Sequence, residues 1–225
     1  MDSAELAIDK KDRFNRQSMM ELLTRPWVDR ALALAAIAPF VWTILANYKS
    51  YHFVDIPFLA YLANLLIFIG TMLFRRAPVR VTPNPWFWLL TFVATYWGFL
   101  AYALAQHGRA LAPGVFLDTV AVLGTAVVVW GRFSLGRNIG FVPAQREIVI
   151  RGAYRFMRHP IYTGIFIGTL AEALASYSPR NLLLFGLLIF WFVIKSFVEE
   201  SFLRKDPDYA AYMERVRWRW LPGLI

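Results

Sequence analysis

PIYTGIFIGTLAEALASYSPRNLLLFGLLIFWFVIKSFVEESFL, residues 160–203, holds two apolar runs divided by Ser-Tyr-Ser-Pro-Arg at 176–180. The runs cover about 160–176 and 181–203. So short a divider permits only a tight turn, and the stretch reads as a helical hairpin. Upstream, apolar runs at about 28–48, 56–74, 86–105 and 115–133 are each long enough to cross a hydrocarbon layer about 30 Å thick. The predicted fold is therefore all-α: a polytopic transmembrane bundle of about six helices, five plus the further arm of the hairpin. Pro39 falls within the first helix and predicts a kink there, whereas Pro85 and Pro179 stand where helices begin.

Charge tests the count. If six helices cross, 20 of the 24 Lys and Arg residues fall on one side. They are six before the first helix, three in 75–80, six in 132–158 and five beyond 203. Only Lys49, Arg109 and Arg180 fall on the other side, and Lys195 lies within the last helix. So lopsided a division is what the positive-inside rule requires with both termini cytoplasmic, and losing one arm of the hairpin would scramble it. The expected location is an integral, multi-pass membrane, the inner (cytoplasmic) membrane if the source is bacterial, with the functional site facing the cytoplasm.

Composition agrees. Hydrophobic residues make up 58% of the 225, above the roughly 45–50% of soluble domains. The net charge of +9 is confined to short segments between apolar runs, which argues against nucleic acid as a partner. Without cysteine there are no disulfides, no thiolate metal ligands and no cysteine nucleophile, and no metal is expected. The first 25 or so residues mix both signs of charge and lack a signal-peptide pattern; Glu5–Leu23 reads as an amphipathic helix on the membrane surface. Three regions result: an interfacial segment 1–27, a four-helix transmembrane region 28–133, and a region 134–225 comprising a long loop, the hairpin and a C-terminal tail.

Two charged clusters stand out. Pro160 suits the first position of a helix, so the free N–H groups of Ile161 to Thr163 face the same point as Arg155, Arg158 and His159, an arrangement that binds anions. Read more plainly, the arginines are ordinary positive-inside charges, although His159 and Tyr162 share a helical face. The other cluster, Lys195, Glu199, Glu200 and Arg204, ends an unbroken apolar run. A charge near mid-membrane costs about 2.5–3.5 kcal/mol, so these require partners. The pairs Lys195–Glu199 and Glu200–Arg204 have the i,i+4 spacing that allows mutual neutralisation. Antiparallel packing of the hairpin also brings Glu199 and Glu200 to the level of His159 and Tyr162, where a carboxylate opposite a basic helix start suits a zwitterion such as an amino acid head group.

The residues Gly152-Ala-Tyr154-Arg155-Phe-Met-Arg158-His159-Pro160-Ile-Tyr162-Thr-Gly164, then Glu199-Glu200-x-x-Leu203, Tyr209-x-x-Tyr212 and an Arg-rich close with Pro222 resemble the isoprenylcysteine carboxyl methyltransferase family and its relatives, the phospholipid N-methyltransferases. The resemblance covers about 130–222. It implies S-adenosyl-L-methionine as cofactor, bound by His159, Tyr162 and Glu200 with Gly152 and Tyr154 from the loop and Arg158 at the helix start, and enclosed by Tyr209, Tyr212 and Arg215. It also implies a lipophilic or lipid-linked acceptor entering from the membrane lipid. Where the family usually has Gly-Pro-Tyr this chain has Gly152-Ala153-Tyr154, and Val216-Arg217-Trp218-Arg219 replaces Val-Pro-Arg. Methylation of a carboxylate needs alignment more than a base, because the nucleophile is already ionised. Arg217 or Arg219 is then the expected grip on the acceptor, and Glu199 the proton acceptor if the substrate is instead an amine. The expected activity is S-adenosylmethionine-dependent carboxyl O-methylation. The alternatives are phospholipid N-methylation, an NADPH-dependent membrane reductase and a non-catalytic lipid-binding scaffold.

Overall fold

The computed structural model describes residues 21–22, 25–47 and 56–223. The surface helix expected at Glu5–Leu23 lies almost wholly outside them. Helices form where apolar runs were expected: α1 (Pro26–Asn47), α2 (Ile56–Leu73), α3 (Pro85–Leu104), α4 (Gly114–Leu135), α5 (Pro160–Ala175) and α6 (Pro179–Leu203). A short amphipathic α7 (Pro207–Arg215) follows. Proline begins α3, α5, α6 and α7 at the position where its missing N–H costs nothing. Asn84, Ser178 and Asp206 cap α3, α6 and α7 with side-chain oxygens that accept from the backbone of the first turn. Pro39 sits inside α1, which continues through it to Asn47.

Among the described residues, Pro85–Leu104, Gly114–Asn138 and Pro179–Leu203 are long and apolar enough to cross a membrane by themselves, while α5 is a shorter apolar helix. Val115, Trp42 and Trp86 are 81%, 72% and 72% exposed, a surface that hydrocarbon covers and water does not favour. The protein is a helical membrane bundle. Its one sheet among the described residues is minimal: β1 (Arg80–Val81) pairs antiparallel with β2 (Ala144–Gln145) and holds the α4–α5 loop against the α2–α3 link.

Polar contacts define the two ends of the bundle. At one end the fully buried Asn181 donates to the carbonyls of Gln106 (2.8 Å) and Ser176 (2.6 Å), and its Oδ1 accepts from the Gln106 N–H (3.0 Å). This ties the hairpin turn to the end of α3. The bridge between Arg109 and Tyr177 adds two backbone bonds of 3.0 Å. At the other end Asp29 accepts from Arg75 (2.7 and 2.8 Å) and from Arg146 (3.2 Å), joining α1, the end of α2 and the long loop. The loop of 136–159 and the tail lie at this second, basic end.

The most intimate helix pair is α4 with α5, across the 133/134 boundary drawn from the sequence. A Cβ placed on Gly124 would lie 2.7 Å from the Gly168 nitrogen and 2.9 Å from the Gly164 oxygen, so the backbones touch where only glycine fits. Without a hydrophobic drive between helices in lipid, such close approach supplies the dispersion contact that holds them together. Gly124→Leu is accordingly expected to cost at least about 1–3 kcal/mol of stability. Gly186→Leu, at an exposed glycine with nothing within 4 Å, is expected to change it by less than about 0.5 kcal/mol. Paired thermal melts in detergent check the contrast.

Candidate active site

The site is assembled where the first turn of α5 meets the last turns of α6. His159, immediately before Pro160, stacks on Tyr162 with ring centroids 5.1 Å apart and planes 14° from parallel. Glu199 and Glu200 follow one another on α6, so they diverge by about 100°. The consequence is a division of labour.

Glu200 turns toward the start of α5. Its Oε1 accepts from Arg158 Nε (2.7 Å) and His159 Nε2 (3.0 Å), and its Oε2 from Arg219 Nη2 (2.6 Å) and Nε (3.0 Å). The side chain is 3% exposed. The i,i+4 pair with Arg204 does not form: only the Arg204 backbone N–H reaches Glu200, at its carbonyl (2.9 Å). A carboxylate held by two guanidiniums and an imidazole is a better-satisfied anion than one Arg204 at the exposed helix end can make. Glu199 faces a cavity instead. It accepts from the Tyr162 hydroxyl at 2.7 and 2.8 Å and lies 3.7 Å from Lys195 Nζ, as the i,i+4 spacing anticipated.

The tail passes beside the start of α5, where an anion site was expected. Residues 216–220 run beside it. The backbone N–H groups of Arg158 and His159 donate to the carbonyls of Trp218 (2.9 Å) and Arg219 (2.8 Å), and Thr163 Oγ1 donates to that of Trp220 (3.0 Å). Arg158 Nη1 reaches the carbonyls of Val216 (2.8 Å) and Arg217 (2.7 Å). The backbone that leads into α5 thus fastens the tail, and the Arg158 guanidinium holds both the tail and Glu200. Arg219, expected to grip an acceptor, is committed to Glu200 and lies 3.7 Å from the centroid of the Phe197 ring. Arg215 and Arg217 are exposed and neither lines the cavity. Gly152 has φ +59°, and a Cβ on it would run into Ser134 Oγ, which also accepts from the Ala153 N–H (3.0 Å). The glycine seats the loop on α4 and lets Tyr154 enter the cavity.

That cavity has a volume of about 380 Å³. Around Glu199 its wall is Tyr162, His159, Lys195, Tyr154, Tyr209 and Tyr212. Farther along it is apolar, with Phe68 from α2, Gly98 from α3, and Leu188 and Phe192 from α6, and it extends to the loop at 138–149. Burial raises the Tyr154, Tyr209 and Tyr212 hydroxyls well above their ordinary range, so all three remain neutral at physiological pH. Tyr212 donates to the carbonyl of Tyr154 (2.9 Å), which draws α7 onto the loop. Lys195 Nζ lies 5.5 Å from the Tyr162 ring centroid and 5.6 Å from that of Phe192, so a cation already rests between aromatic faces and a carboxylate. The arrangement favours positive charge.

A bundle of apolar helices enclosing a cavity with an aromatic, cation-holding polar end defines a polytopic membrane protein. Residues 113–207, from the start of α4 to the start of α7, match the family model of phospholipid methyltransferases. Among curated proteins nothing matches the chain.

Sequence reasoning missed the contributions of α2 and α3 to the cavity wall, and it read Arg132 and Arg146, which also line it, only as basic-side charges. Arg132 Nη1 donates to the carbonyl (2.7 Å) and the Oδ1 (2.8 Å) of Asn64, placing its guanidinium 4.7 Å from the Phe68 ring centroid. The available signal was its position before the end of an apolar run. Because the buried Glu200 neutralises two half-buried arginines, Glu200→Ala is expected to destabilise the fold by about 3 kcal/mol, leaving uncompensated charge behind. Denaturation of the purified variant in detergent measures this loss.

Proposed function

We propose that the protein transfers a methyl group from S-adenosylmethionine to a lipophilic acceptor, with Glu199 rather than Glu200 facing the cofactor's charged end. The position of Glu199 carries this reading: a mostly buried carboxylate oriented by Tyr162 within an aromatic cavity whose volume suits a small molecule. When bound, the cofactor would supply a methyl group made electrophilic by its sulfonium. The chain's own residues do the rest. Glu199 complements positive charge, His159 holds Tyr162 by stacking, and the neutral Tyr154, Tyr209 and Tyr212 enclose the polar end. The apolar wall at Phe68, Gly98 and Leu188 suits an acyl or prenyl chain entering from the bilayer.

A carboxylate acceptor asks least of such a site, since it arrives ionised and needs only alignment and charge complementarity. With Arg219 bound to Glu200, the cationic side chains left to face it are those that line the cavity. The match to phospholipid methyltransferases favours a second reading in which an amine is methylated and Glu199 takes up its proton. Both place the basic end in the cytoplasm, from which a soluble cofactor would enter.

Glu199→Gln is expected to melt like the parent protein while losing about 10- to 100-fold in affinity for S-adenosylhomocysteine. Calorimetric titration in detergent decides that point. Radiolabelled methyl transfer to membrane lipid extracts and prenylcysteine analogues then separates the acceptors, because methyl esters are released by base and N-methyl groups are not. Stabilisation by NADPH in place of S-adenosylhomocysteine would overturn the reading.

A further inference from the structure

At the loop end of the cavity, two buried polar atoms have no hydrogen-bond partner: Arg146 Nη1 and Asn138 Oδ1. Both residues line the cavity that contains Glu199. Arg146 is 9% exposed, and its remaining nitrogens are occupied. Nε donates to the Arg76 carbonyl (2.9 Å) and Nη2 to Asp29 (3.2 Å). Asp29 is shared with Arg75, so one carboxylate serves two guanidiniums and the cluster retains a positive charge. Nη1 lies over Gly140, close enough that a Cβ there would be 2.8 Å from it. A buried donor and acceptor without partners are costly in a protein interior, and their shared placement on one cavity wall identifies what removes the cost: a ligand atom.

We infer that Arg146 and Asn138 form an anion subsite, with Arg146 Nη1 donating to a carboxylate or phosphate oxygen while the Asn138 carboxamide, which can turn to present either its NH2 or its oxygen, completes the contact. The inference rests on the methyltransferase reading above and deepens it. Glu199 receives positive charge at one end of the cavity, and Arg146 receives negative charge at the other. The same oxyanion chemistry is offered by the cofactor's carboxylate and by the acidic group of an acceptor lipid. Burial and the neighbouring Arg75 lower Arg146 to about 10, with Asp29 opposing them, so it remains a cation at neutral pH.

The test uses the full-length protein in detergent with two probes, S-adenosylhomocysteine and short-chain dihexanoyl phosphatidylethanolamine. Arg146→Gln and Asn138→Ala are expected to weaken one of them by about 10-fold or more. If the cofactor's carboxylate is the ligand, S-adenosylhomocysteine loses affinity, and its decarboxylated analogue binds parent and variant alike. If the lipid phosphate is the ligand, only the phosphatidylethanolamine titration changes. Arg75→Gln disrupts the same Asp29 cluster without touching the cavity and serves as the structural control. Unchanged affinity for both probes, or losses that Arg75→Gln reproduces, would overturn the subsite. Failure of the parent protein to bind S-adenosylhomocysteine would instead count against the methyltransferase reading.

Discussion

The carboxylate of Glu200, set among Arg158, His159 and Arg219, is the junction on which the site depends. It joins three separate pieces of chain: the loop preceding α5, the last turn of α6, and the tail. The ions are nearly dry, so each is tolerable only because the others are present. The tail, fixed by this contact and by its backbone bonds to Arg158 and His159, closes over the start of α5. Glu199, on the neighbouring position of α6, lines the cavity instead. The ion cluster thereby leaves Glu199 as the member of the acidic pair that lines the cavity.

This arrangement explains why two adjacent glutamates behave differently despite identical chemistry. Glu200 meets fixed cations and is structural in its contacts. Glu199 meets one phenol, one lysine and, at 3.9 Å, His159 Nδ1, with aromatic faces around the lysine. At the loop end the ratio is reversed, since Arg75 and Arg146 share the single carboxylate of Asp29. The cavity is thus flanked by an available negative charge and an incompletely matched positive one, with apolar wall between.

Helix positions were legible in the sequence because membrane crossing imposes long apolar runs, and proline marks the starts of α3, α5, α6 and α7. Meeting of His159 and Tyr162 with the two glutamates followed from the antiparallel hairpin. Assignment of roles within that meeting did not. Choosing between Glu199 and Glu200 requires the rotation of α6 about its axis, which the uniformly apolar run from Leu182 to Ile194 leaves unspecified. Arg219 and Arg217 differ by two positions in an irregular tail, and no periodicity indicates that one turns inward to Glu200 while the other stays exposed. The contributions of Asn64, Phe68 and Gly98 were hidden for a related reason: ordinary apolar helices carry no mark of what they enclose. Gly124 and Gly164 were equally silent, since a helix contact made by absent side chains shows only when both helices are placed.

The brevity of α5 has a further result. Sixteen residues rise about 24 Å, several ångström short of a typical hydrocarbon core. Its C-terminal end lies beside the α3–α4 link, where the Leu111 N–H donates to the Leu174 carbonyl (2.9 Å) and Asn181 satisfies backbone groups of Gln106 and Ser176. A span this short is matched by thinner lipid beside it or by flanking side chains that reach to the interface. The length of a single helix thereby sets where hydrophobic mismatch falls on the bundle.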